Sequence, residues 1–339
     1  MKTKHYIALL LIVVATAGCR LIDDDLSVCG TEYTINYQMN LVTEIQMEID
    51  EQLSSVAEKP LADALKKWAG PIFSGEAHDL EMDFYSLDGS DELKHHFAEV
   101  IDAKQKSYTL TIPREDYRHL AVVNVADNPS VSLMGTEYIQ SMRLAQRNAD
   151  TVESHATAVY SARLTMHMQQ EGNLLFNVHL YMTNCAVALA VIDSTHSTKP
   201  VIQQVLLSGT ATNFSVNDSV YTFAKPSVIR AEKVTNWCYA AVAFPSRDEI
   251  ATSCPQRGMY RQATADDSLW ALDAYVQLPS GSITKTHLTV HRPLKASTLQ
   301  IIRVYLQDDG SLVPVQKTEV GASVTLDWKS GNDYEVITG

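Results

Sequence analysis

The alternation of Tyr33, Ile35, Tyr37 and Met39 with Thr34, Asn36 and Gln38 has the period of two that marks a half-buried strand. From Leu41 to Trp68 the spacing lengthens. Ile45, Ile49 and Leu53 recur every four residues, and beyond Pro60 so do Leu61, Leu65 and Trp68, which predicts a short helical excursion in two pieces. Strand patterns resume at Leu80, Met82 and Phe84 and turn at Asp88-Gly89. They continue at Tyr108 to Ile112, at Leu120 to Val125 before Asp127-Asn128-Pro129, at Val159 to Met168, and through one long apolar stretch from Leu174 to Ile192. The second half repeats the style at Val201 to Leu207, Val220 to Phe223, Tyr239 to Phe244, Trp270 to Leu278, His287 to Val290, Leu299 to Leu306, Val324 to Trp328 and Tyr334 to Ile337. Many short strands at turn-punctuated spacing predict an all-β chain of sandwich or barrel type. The polar segment DSTHSTKP, Asp193 to Pro200, is the expected boundary between two halves, 31–193 and 194–339.

The first thirty residues follow different rules. Lys2 and Lys4 form a positive end, an apolar run extends from Tyr6 to Ala15, and Ala17 and Gly18 stand before Cys19, the three-part layout of a cleaved signal peptide over 1–18. The run is about ten residues, short of the ~20 needed to cross a ~30 Å hydrocarbon core as a helix. TAGC at Thr16 to Cys19 resembles a lipobox, which makes Cys19 the expected lipidation site. Two or three acyl chains hold a protein firmly, since each buried methylene contributes ~0.8 kcal/mol. Asp23, Asp24 and Asp25 follow at once in the 19–30 tether, an acidic run that resembles the signal sending Bacteroidetes lipoproteins to the outer face of the outer membrane.

Removal of residues 1–18 leaves 25 Lys and Arg against 40 Asp and Glu, a net charge of −15, which excludes nucleic acid as a partner on electrostatic grounds. At 45% hydrophobic residues the chain can bury substantial cores, and its length fits about two domains. After acylation of Cys19, the thiols of Cys29, Cys185, Cys238 and Cys254 remain, and four cysteines in an oxidising compartment allow three pairings. Cys238 and Cys254 are the closest pair and the favoured local bridge. Cys185, inside LYMTNCAVALAV, reads as a buried free thiol.

Candidate chemistry is sparse. The chain carries no G-x-S-x-G, P-loop, G-x-G-x-x-G, H-E-x-x-H or C-x-x-C, so neither an enzyme nor a cofactor or metal is expected. His287 and His291 would lie ~13 Å apart along a strand, too far for one ion. His95 and His96, in DELKHHFAEV, read as a solvated helix face, and Asp266-Asp267 and Asp308-Asp309 as turn chemistry.

With these features together the chain resembles the FimB/Mfa2 family of fimbrial anchor lipoproteins of Bacteroidetes. The resemblance rests on CRLIDDDLSVCG at Cys19 to Gly30, on LEMDFYSLDGS at Leu80 to Ser90 followed by YRHLAVVNVADN at Tyr117 to Asn128, and on VGASVTLDWKSGNDYEV near the end. It implies two tandem transthyretin-like β-sandwich domains, and fimbrial pilin subunits as partners joined by strand complementation, with the outer membrane reached through the lipid. Stalk subunits of that kind lose their first strand to an Arg- or Lys-specific protease. Here no Lys or Arg stands between Arg20 and Lys59, and Lys59 precedes Pro60, so strand one is expected to stay. With the chain ending at Gly339 after the Tyr334 to Ile337 pattern, no spare strand is expected for donation, which favours a terminal unit. A tip or stalk fimbrillin and a carbohydrate-binding adhesin lipoprotein are the alternatives. Asp150-Thr151-Val152, Asp193-Ser194-Thr195, Asp218-Ser219-Val220 and Asp267-Ser268-Leu269 resemble the general O-glycosylation signal of Bacteroidetes, at Thr151, Ser194, Ser219 and Ser268.

Overall fold

The computed structural model describes residues 32–42, 45–102, 105–147, 150–168, 174–193, 200–223, 228–251, 260–262, 268–315 and 320–327. In chain order the first half runs β1 Glu32–Val42, α1 Ile45–Gln52, a 3-10 turn Val56–Glu58, α2 Lys59–Ile72, β2 Asp79–Ser86, β3 Leu93–Val100, β4 Ser107–Pro113, β5 Tyr117–Val123, β6 Val131–Met134, β7 Arg143–Gln146, β8 Thr151–Glu153, β9 Tyr160–Met166, β10 Leu174–Met182 and β11 Cys185–Asp193. The second half runs β12 Val201–Ser208, β13 Asn213–Ser215, β14 Val220–Thr222, β15 Val228–Arg230, β16 Glu232–Thr235, β17 Cys238–Ala243, β18 Glu249–Ala251, β19 Tyr260–Gln262, β20 Trp270–Gln277, β21 Ile283–Val290, β22 Leu299–Leu306, β23 Leu312–Pro314 and β24 Val320–Asp327. The chain is all-β with a short helical excursion, as its patterning predicts. Among the described residues no helix is long and apolar enough to cross a membrane.

Five sheets form. A seven-stranded sheet has the order β3-β2-β5-β9-β10-β1-β4, and a four-stranded one, β14-β13-β7-β6, covers its outer face. A five-stranded sheet, β16-β17-β11-β22-β23, faces a six-stranded one, β24-β21-β20-β12-β15-β8, and β18 pairs with β19. The halves exchange strands: β8 edges the six-stranded sheet by pairing with β15, while β13 pairs with β7 in the four-stranded one.

Three apolar clusters separate these layers. Tyr85, Leu120 and Val122 meet Leu144, Phe214 and Val216 between the four- and seven-stranded sheets. Met39, Phe84 and Leu180 on the other face of the seven-stranded sheet meet Leu53, Leu65 and Ala69 of the helices and then Ala186, Ala188, Ala240 and Ile301. Val187, Leu189 and Ala241, on the reverse of those same strands, meet Leu207, Trp270 and Leu288. Both faces of β11 are therefore buried, which is why it reads as the unbroken apolar run CAVALAVI rather than an alternating one.

The helices form where the four-residue spacing predicts, with Pro60 in the first turn of α2, where its missing N–H costs nothing. Gln52, at the end of α1, then performs a strand's task. Its Nε2 donates to the Leu299 carbonyl at 2.6 Å and its Oε1 accepts from the Ile301 N–H at 2.8 Å, satisfying the edge of β22 that β23 does not reach. Trp68 Nε1 donates to Glu232 Oε2 at 2.9 Å and fixes α2 to the same sheet.

Two readings of the sequence are corrected. The long apolar stretch from Leu174 to Ile192 is two strands of different sheets, divided at Thr183-Asn184. Asn184 is fully buried, accepts from the Val159 N–H and donates to the Thr157 carbonyl, so the chain crosses between sheets without stranding its polar groups. His95 and His96 belong to the edge strand β3, not to a helix. The pattern for Tyr334 to Ile337 lies outside the described residues.

Replacing Gln52 with Ala removes both of these hydrogen bonds to the edge of β22 and is expected to lower stability by about 1–3 kcal/mol in urea unfolding; an unchanged midpoint would contradict this capping role. A second prediction concerns His155, which is fully buried against Phe244 at 5.0 Å between ring centroids, with neither ring nitrogen partnered among the described residues. Burial pushes its pKa down to about 3. As pH falls below ~6.5 the unfolded chain binds a proton that the folded ring refuses, so stability is lost progressively down to the folded value, about 2 kcal/mol of it between pH 6.5 and 5. His155→Phe is expected to remove that loss, measured as the difference in unfolding free energy between pH 7 and 5.

Candidate functional site at the first strand

β1 is held on both sides. It runs antiparallel to β4, from Glu32 opposite Pro113 to Gln38 opposite Ser107, and parallel to β10, from Ile35 opposite Leu174 to Val42 opposite Tyr181. Ile35, Tyr37 and Met39 point inward and are fully buried, so the alternation seen in the sequence is the alternation of the pleat.

The Tyr37 side chain ends in a polar lock inside this apolar layer. Its hydroxyl lies 3.0 Å from His119 Nε2, and His119 Nδ1 lies 3.0 Å from the Asp83 carbonyl oxygen. A carbonyl can only accept, which places the proton on Nδ1 and leaves Nε2 to accept from Tyr37. Phe84 stacks on the imidazole at 4.4 Å between centroids, and burial lowers the His119 pKa to about 4, so the ring stays neutral. Burial raises the Tyr37 pKa, keeping its proton in place. The lock therefore joins β1 to β5 and β2 across the sheet's core face.

On the opposite face of β2 lies a second cluster. His96 Nδ1 is 2.6 Å from Asp83 Oδ1 and 3.8 Å from Glu81 Oε1, and the three donor atoms lie within 4.8 Å of one another. Burial raises the pKa of Asp83 against the pull of the His96 hydrogen bond. Glu81 is raised by burial and then by the charge of Asp83. Among the described residues these three have donor chemistry suited to a metal.

No protein-family model matches the chain, and no curated protein matches it. Solved structures do resemble it. A candidate adhesin from Bacteroides ovatus shares 10% identity at a TM-score of 0.49, over 86% of this chain and 95% of that one. The tip fimbrial protein Mfa3 from Porphyromonas gingivalis, with C-terminal truncation, shares 10% at 0.42, over 88% and 100%. A fimbrial assembly protein from Parabacteroides distasonis shares 10% at 0.39, over 86% and 98%. Likeness at this level transfers no residue role to this chain.

The residues singled out in the sequence are distributed as follows. Cys19, Asp23, Asp24, Asp25, Cys29, Ser194, Cys254 and the pair Asp266-Asp267 lie outside the described residues. Cys185 is a buried free thiol, as expected from its surroundings. Cys238 is also buried and free, on the helix-facing side of β17, and burial pushes its pKa up to about 12. The two thiols sit on opposite faces of one sheet and cannot meet. Ser219 and Ser268 are exposed, whereas Thr151 is half-buried within β8 rather than in a loop. Asp309 accepts from the Ser311 N–H and hydroxyl, which is the turn chemistry predicted for it. Tyr37 is a core residue, as its alternation implied, and Tyr85, Tyr117 and Tyr160 are buried as well.

Tyr37→Phe keeps the ring but leaves His119 Nε2 a buried acceptor without a donor. The expected cost is about 1–2 kcal/mol in urea unfolding; full parental stability would show that the lock holds nothing.

Proposed function

We propose that this chain is a surface lipoprotein that anchors a fimbria to the outer membrane and terminates its assembly, binding pilin by strand complementation. What supports this reading is that the expected lipidation site lies shortly before a strand in the interior of a sheet, one strand from its edge. Cys19 is joined to Glu32 by a short acidic tether, and β1 is bonded along both edges and locked through Tyr37. A pull on the tether along β1 loads its hydrogen bonds together, in shear, rather than one at a time.

No Lys or Arg stands between Arg20 and Lys59, so β1 contains no basic cleavage site, and removing the strand would strip Ile35, Tyr37 and Met39 from the core. That supports a unit that keeps its first strand. Strand complementation needs a free sheet edge, and β4 ends the seven-stranded sheet with alternate residues exposed. A pilin strand can add there without displacing β1.

Cys19→Ser is expected to move the protein from the membrane fraction to the medium and to shed fibres from the cell, seen by fractionation and electron microscopy of whole cells. Fibres that remain attached at the parental level would count against the anchor.

A further inference from the structure

We propose that Glu81, Asp83 and His96 bind a divalent transition-metal ion of the zinc class, which clamps the edge strand β3 to β2. The arrangement follows from register. Asp83 stands directly opposite His96 in the antiparallel β2–β3 pair, and Glu81, two residues earlier, projects from the same face of β2 as Asp83. One imidazole nitrogen and two carboxylate oxygens therefore converge, a donor set that suits zinc and its neighbours better than calcium, which takes oxygen alone.

The distances are close to what one ion needs. Bonds of ~2.0–2.2 Å at tetrahedral angles place neighbouring ligand atoms about 3.3–3.6 Å apart. The observed separations from His96 Nδ1, 2.6 Å to Asp83 and 3.8 Å to Glu81, bracket that range and meet it by small side-chain rotations.

A second Asp–His pair in the molecule shows what the first one lacks. Asp273 stands opposite His287 in β20–β21, with His287 Nδ1 2.6 Å from Asp273 Oδ1, the same contact as at Asp83. There the other carboxylate oxygen is held by Lys285 Nζ at 3.1 Å. At Asp83, fully buried, the other oxygen meets the Tyr85 hydroxyl at 3.4 Å, and the carboxylate of Glu81 lies within 4.8 Å. One pair is completed by a cation; the other combines a buried carboxylate with a second negative group. A bound divalent ion supplies the missing positive charge.

Access is open from two directions. The His96 side chain is 43% exposed. Glu81 also lines a cavity of ≈ 360 Å³ shared with Asp79, Glu99 and Arg147, the last donating to the Asn128 carbonyl. Water from this cavity completes the coordination sphere. Because β3 is the outermost strand of its sheet, an ion bridging it to β2 stabilises the folded state by mass action.

The test uses the full mature chain in detergent, stripped with a chelator and titrated with ZnCl₂ alone by calorimetry and thermal unfolding. The expected result is one saturable equivalent with a rise in Tm. His96→Ala should abolish both signals, Glu81→Gln should weaken binding by about tenfold or more, and His287→Ala should leave them unchanged. CaCl₂ should give no saturable signal. Binding that persists in folded His96→Ala, or no saturable binding up to about 1 mM Zn²⁺, overturns the proposal.

Discussion

The structure depends on one sheet that is buried on both faces. β11, β17 and β22 present Ala186, Ala188, Ala190, Cys238 and Ala240 to the helices and Val187, Leu189, Tyr239 and Val304 to the six-stranded sheet. The small residues on one side let α1 and α2 approach closely, and the larger ones on the other fill a sandwich of ordinary depth. A single wall thus serves two cores. The exchange of β8 and β13 between halves ties them together further.

The helical excursion is best understood through the same wall. α1 and α2 leave the seven-stranded sheet directly after β1 and return to it at β2, and in between they dock on strands from the far end of the chain. Gln52 reaches Leu299 and Ile301, Trp68 reaches Glu232, and Glu58 reaches Arg303 at 3.5 Å. β1 is thus held by its sheet and also by the element that follows it. In the proposed anchor, this is the element nearest the lipid, and load entering at Cys19 passes first into β1 and then into the helices that tie it to the far end of the chain.

Much of this was legible in the sequence where one period governs a whole element. Ile35, Tyr37 and Met39 alternate because one face of β1 is core, and Leu61, Leu65 and Trp68 recur because one stripe of α2 is. Legibility ended where burial or register takes over. The run from Leu174 to Ile192 hides its break, since β11 is apolar on both faces and only the buried hydrogen bonds of Asn184 divide it from β10. LKHHFAEV carries Lys94, His95, His96 and Glu99 because β3 is an edge strand, and that polarity resembles a solvated helix. The lock between Tyr37 and His119 and the cluster of Glu81, Asp83 and His96 join residues far apart in the chain, so no local spacing announces them. Their signal is a polar residue at a core position of a strand, as with Asp83 within LEMDFYS.

The central claim is that the mature protein keeps both its lipid and its first strand while it holds a fibre. Mass spectrometry of the N-terminal peptide from protein isolated with surface fibres tests this directly. The account predicts an acylated Cys19 followed without interruption by the residues of β1; an unmodified N-terminus beyond Val42 in fibre-associated protein would contradict it.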